Sequence, residues 1–177
     1  MGRANAKQYF EWFQEQIPIR ITVVQEYIKS FPNYHDWEAN LTPISLEVLG
    51  SWFIDRITTR LRSKDEIDSI YVNAPGWFKN LEVPEYDLSI MTESLCIDMG
   101  MYLSQVIVHK NEKLHWEMIT RPKRHIDYHQ PVLLGQGKVP CNPVRLVRVY
   151  AYKIANGNLQ KEGLKELYEI WSKILYE

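Results

Sequence analysis

The chain has 177 residues, 45% of them hydrophobic, 24% charged and 12% aromatic, with a formal net charge of −1. Length and composition suit one globular domain with a well-packed core. The near-neutral total excludes a globally basic nucleic-acid binder of the usual kind.

Residues 4–16 read as a helix carrying Tyr9, Phe10, Trp12 and Phe13. Pro18 sits where a second helix would start, since its missing N–H costs nothing in a first turn. Ile21, Val24, Tyr27, Ile28 and Phe31 then recur at helical steps until Pro32 and Asn33 stop them. Thr42 and Pro43 form a cap-and-proline start. A third helix with Leu46, Leu49, Phe53 and Ile57 on one face follows, ending near Thr58 and Thr59.

Residues 60–87 are the least regular part. Ser63 and Glu66 have capping-box spacing and predict a short helix to Tyr71. Trp77 and Phe78 follow a turn at Ala74–Gly76; they are costly to leave in water, so they either plug the core or form a binding lip. Asp87 is the expected cap of a helix from Leu88 to about Val108. Its apolar residues fill half the wheel, with Glu93, Ser94, Ser104 and Gln105 on the other half. Cys96 and Gly100, small and four apart on it, predict the close approach of another backbone.

Alternation from Leu114 to Ile119, again around Ile126 and Tyr128, and a short apolar run at Val132–Leu134 predict a small antiparallel sheet of two to four strands. Asn142 and Pro143 repeat the cap-and-proline pattern. They favour a helix ending at Asn156–Gly157, although Val144 to Tyr150 is rich enough in β-formers to compete. Leu164, Leu167, Tyr168, Trp171 and Leu175 mark an amphipathic C-terminal helix. The expected fold is therefore α+β: N-terminal helices packed on a central helix, a small mostly antiparallel sheet, and a C-terminal helix, all in one domain over residues 1–177.

Charge is unevenly spread. Residues 1–108 hold 9 basic and 15 acidic residues, whereas residues 109–148 hold 8 basic and 3 acidic. Such a block binds an acidic partner or pairs with the protein's own acidic part. Arg121, Lys123 and Arg124, with Trp77 and Phe78, are the expected interaction surface.

The sharpest polar cluster is His125-x-Asp127-x-His129, which on a strand would share one face, with His115 on a neighbouring strand. Imidazole and carboxylate together hold metals or move protons, but no metal-site spacing is completed, so no metal or cofactor is expected. Asp98 borders the apolar arc of the central helix as a candidate buried carboxylate. Cys141 precedes a helix N-terminus, which activates a thiol where it is accessible. No phosphate loop or nucleophile elbow occurs.

Two cysteines argue for a reducing compartment. The first residues lack a signal-peptide pattern, and no apolar run is long enough to span a membrane, so a cytoplasmic protein is expected. The absence of reaction motifs and the aromatic richness favour a non-enzymatic protein-interaction module, resembling small immunity or antitoxin proteins in size and composition only. The competing readings are a ligand-binding or metal-dependent enzyme built on His115, His125, Asp127 and His129, and a nucleic-acid-associated module built on the basic block 109–148.

Overall fold

A computed structural model describes residues 2–76, 78, 82–111, 113–137, 139–157 and 163–176. Its described residues form α1 (Arg3–Lys29), α2 (Pro43–Ile54), β1 (Thr59–Leu61), α3 (Lys64–Asn73), β2 (Tyr86–Leu88), α4 (Ile90–His109), β3 (His115–Met118), β4 (Pro131–Leu134), α5 (Pro143–Ala155) and α6 (Gly163–Tyr176). The fold is α+β and closes on a C-terminal helix, as the patterning predicts.

Helix α4 is the axis of the molecule, with 12 of its 20 residues buried. That is more than the half-wheel expected: Ser104 is buried too and satisfies its hydroxyl by donating to the Met101 carbonyl at 2.6 Å. A helix buried on most sides needs cover from several elements. Leu46, Leu49, Trp52 and Phe53 of α2, Val147, Tyr150 and Ala151 of α5, and Leu164, Tyr168 and Leu175 of α6 share one core with Leu95, Met99, Leu103 and Val106 of α4. Phe13 and Ile17 of α1 close over Met101 in a second cluster.

Two helices were expected before residue 31, and one is found. Pro18 lies inside α1 rather than at a start. An interior proline costs about 3 kcal/mol. Here Ala6, Phe13, Ile17, Val24 and Ile28 stay on one buried face across it, so packing holds the helix together. Helix α2 stops at Ile54, short of the expected end, because Thr58 is used elsewhere. Its amide donates to Thr92 Oγ1 at 2.9 Å, and that hydroxyl donates back to the Thr58 carbonyl at 3.0 Å.

The irregular stretch is closed at its base by β1 and β2, antiparallel with Arg60 opposite Asp87, a pairing the sequence reading lacked. Between them the capping box of Ser63 and Glu66 forms as predicted. Asp87 does not cap α4. It sits in β2, bonded by the Tyr152 hydroxyl and flanked by Arg62 at 3.2 Å and Arg60 at 3.7 Å, while Ser89 accepts from the Thr92 amide as the cap. Burial pushes the Asp87 carboxyl up, but the Tyr152 hydroxyl, the Leu88 amide and the two arginines outweigh it and hold it below its ordinary value.

Strands β3 and β4 pair antiparallel, His115 opposite Leu134 and Met118 opposite Pro131. No strand forms around Ile126 and Tyr128. Residues 119–130 are a connection of tight turns, because five alternating residues after Pro122 find no partner strand. The segment 143–155 is helix, capped by Asn142 and ended at Asn156 and Gly157, the latter with φ 81°. Its start packs backbone-close on α4. A Cβ on Gly100 would lie 2.6 Å from Val144 Cα, so the small residue admits the neighbouring helix as anticipated.

Candidate interaction site

The polar cluster found in sequence belongs to the 119–130 connection. Its base is pinned by the His129 amide donating to the Ile119 carbonyl at 2.7 Å. His129 takes a left-handed conformation, φ 64°, which histidine tolerates better than bulkier residues. Its ring is buried and stacks on Tyr128 at 3.8 Å.

Asp127 turns inward and is only 1% exposed. Its Oδ1 accepts from Asn142 Nδ2 at 2.8 Å and its Oδ2 from an Arg145 guanidinium nitrogen at 2.7 Å. Asn142 also caps α5 by accepting the Arg145 amide at 3.0 Å. One buried carboxylate thus ties the connection to the first turn of α5, where the helix dipole favours negative charge. His125 Nδ1 accepts the Asp127 amide at 3.0 Å. Its lone pair is therefore engaged, and its 4.0 Å approach to Asp127 Oδ2 is not an ion pair.

The expected shared strand face for His125, Asp127 and His129 does not form. His115 is separate again, exposed at the end of β3 away from the connection and 3.8 Å from Glu117. Among the described residues, no three His, Cys, Asp or Glu side chains converge as a metal site.

The other acid and thiol candidates are also engaged or enclosed. Asp98 is buried and accepts from Arg20 through both oxygens at 2.7 Å, a two-point pair joining α4 to α1. Sequence marked the acid but not its partner, 78 positions away. Cys141 is fully buried, and burial together with the Asp127 charge pushes its thiol up, so the accessibility that activation at a helix N-terminus requires is missing. Cys96 is likewise pushed up to about 12, by burial and then Glu93.

The rest of the connection faces water. Arg121, Lys123 and Arg124 are exposed, and among the described residues none of them makes an ion pair within 4.0 Å. Ile126 beside them is 72% exposed. Behind it runs a cleft of about 260 Å³ between α1 and the start of α5, walled by Tyr9, Phe13, Ile126 and Val144, with Arg145 and Arg148 at its edge. Those two arginines are neutralised, Arg145 by Asp127 and Arg148 by Glu93 at 2.8 Å. The unbalanced charge of the site therefore comes from the connection itself. His109, Lys110 and Lys113 lie exposed at the other end of β3, so the basic block divides in two.

Of the remaining predicted surface, Phe78 is half-buried and Trp77 lies outside the described residues. Other grooves among the described residues are not anticipated by the sequence patterning, among them two of larger volume. One, of about 500 Å³, is lined by Tyr27, Phe31, Tyr34 and Arg56, with the guanidinium seated 4.0 Å from the Phe31 ring and 4.5 Å from Trp52. The four-residue steps Tyr27–Phe31 and Trp52–Arg56 were the available signal. The other, of about 530 Å³, runs beside Pro18, Ile21, Leu41 and Trp116. Both are larger than the cleft at α5; the second has no charged lining residue, and the first sets the exposed Asp55 carboxylate beside the Arg56 guanidinium, so neither presents a cluster of like charge.

No helix among the described residues is long and apolar enough to cross a membrane. Comparison of the chain with protein families, with curated proteins and with solved structures gives no match.

Proposed function

We propose that the protein is a non-catalytic binding module that engages another protein through the exposed side of the 119–130 connection. One observation carries the reading. The connection's acid and two of its histidines face inward or bond locally, while Arg121, Lys123, Arg124 and Ile126 stand in water without partners among the described residues. Polar groups spent on holding a loop are not free for acid–base chemistry, whereas three unpaired cations around an exposed aliphatic residue offer an acidic partner complementary charge beside an apolar contact. The resemblance in size and composition to small immunity or antitoxin proteins fits the same reading. Enzymatic use of His115, His125, Asp127 and His129 would need convergence on one cavity, and His115 lies at the far end of β3.

The test is affinity capture from nuclease-treated lysate of the source cells, comparing the native chain with an Arg121→Glu/Lys123→Glu/Arg124→Glu variant at low and high salt. A near-stoichiometric protein partner held by the native chain and lost by the variant is the expected result. Equal capture by both chains, or no protein partner, sinks the proposal.

A further inference from the structure

We infer that the partner presents an acidic segment with one large apolar residue, which enters the cleft beside Ile126 while its carboxylates meet Arg121, Lys123 and Arg124. This rests on the binding-module reading above and specifies what the surface recognises. Charge complementarity sets the sign. Three cations at positions 121, 123 and 124 face solvent without an ion partner among the described residues, and the one carboxylate of the same connection, Asp127, is already bonded to Arg145.

Shape sets the anchor. The rings of Tyr9 and Phe13 and the side chains of Ile126 and Val144 form the apolar part of the cleft, the rest being polar groups such as Gln130 and the paired Asp127 and Arg145, and its volume of about 260 Å³ is below the range of roughly 300–1,000 Å³ for small-molecule sites. One apolar side chain flanked by charge fits that space, in the pattern of a central anchor with a polar rim.

Two other occupants fit worse. A second copy of this chain joined by a two-fold axis would set the basic connection against itself, since each point on such an interface meets its own symmetry mate. Among the described residues a nucleic acid would find three cations without an ion partner here, against the six to ten phosphate contacts of a strongly salt-dependent binder.

The experiment is selection of a displayed random short-peptide library on the full chain, followed by affinity measurement on the enriched peptides. Enriched sequences should be net acidic with one recurrent large apolar position. Binding should weaken as salt rises. Ile126→Asp and Arg124→Glu should each weaken it by about tenfold or more, as loss of an interface anchor does. Both positions are exposed, so these variants keep the fold. Ile19→Ser, exposed on α1 away from the cleft, should bind as the native chain does.

Enrichment of basic or charge-free sequences, acidic binders indifferent to Ile126→Asp, or tighter binding of a single-stranded oligonucleotide would each overturn the inference. If the lysate capture holds a protein but no peptide is enriched, this inference falls and the binding-module reading stands. If both fail, both fall.

Discussion

The contact between α4 and α5 gives the sharpest quantitative test, because two effects of opposite sign compete at one atom. Replacing glycine by alanine inside a helix stabilises it by about 1 kcal/mol through backbone entropy and propensity. At Gly100 the added Cβ would lie 2.6 Å from Val144 Cα, 2.8 Å from its nitrogen and 2.9 Å from its Cγ2. Two of those atoms are backbone, so α5 itself must move, and overpacking of that kind costs about 1–3 kcal/mol. At the upper part of that range the clash wins, and Gly100→Ala should lose about 1–2 kcal/mol, or roughly 2–8 °C in Tm for a chain of this size. Gly50 in α2 is the internal control: its Cβ would meet Leu164 at 3.7 Å, an ordinary contact. Gly50→Ala should therefore gain up to about 1 kcal/mol. Urea unfolding of both variants against the native chain decides the matter. A Gly100→Ala chain as stable as the native one, or more so, would refute the backbone-close packing of α5 on α4.

Three further outcomes follow from the buried polar groups. Asp127→Ala removes the acceptor of Asn142 and Arg145, and breaking such a pair should cost about 2–3 kcal/mol once the 37% exposure of Arg145 is allowed for; Asp127→Asn should cost less, and urea midpoints indistinguishable from native for both would contradict the tie. The thiols of Cys96 and Cys141, buried and pushed up, should react with a disulfide reagent only as fast as the chain opens, so labelling of either in the folded state at a free-thiol rate would count against their burial. Arg60, then the Ser63 amide, hold Glu66 down to about 2 from an ordinary 4.5. A depressed carboxylate supports the fold fully above its unfolded value and loses that support as pH falls toward 2, and Asp87 is depressed in the same direction. Amide exchange in α3 and the β1–β2 pair, corrected for intrinsic rates, should therefore accelerate below about pH 4 in the native chain and show a flatter pH dependence in Glu66→Gln; identical profiles would exclude the linkage.

Local chemistry made much of this legible in advance. Thr42, Ser63 and Asn142 each announce a helix start by a short polar side chain that reaches the third amide onward, and all three do so. The α5 segment shows a cap overriding β-propensity: Val144 to Val149 favour a strand, but the Asn142 cap and the apolar stripe of Val147 and Ala151 against α4 decide for helix. What misled were features whose outcome depends on distant partners. Pro18 reads as a start until the buried face continuing through it is known. Asp87 has the right spacing for a cap, yet Arg60, Arg62 and Tyr152, up to 65 positions away, hold it in a strand. The His125–His129 alternation has the period of a strand, but period 2 over five residues is also what a run of turns produces by chance. Asp127 is drawn inward by Asn142 and Arg145, which no window around residue 127 contains.

The same long-range ties explain why an exposed loop can serve as a binding surface. Loops that must be ordered on association lose affinity to the entropy of that ordering. Here the 119–130 connection is closed at its base by His129 and Ile119, fastened in its middle through Asp127 to Arg145 and Asn142, and seated by way of α5 on Gly100 of the central helix. Arg121, Lys123, Arg124 and Ile126 project from a frame whose position the core determines, which is how a precise site is supported. It follows that Gly100→Ala, although far from solvent, should weaken partner binding as well as stability, whereas Gly50→Ala, which touches only α6, should leave binding unchanged. Binding losses by Gly100→Ala no larger than those of Gly50→Ala would mean that the surface is not held through α5, and the cleft would then have no claim to a fixed shape.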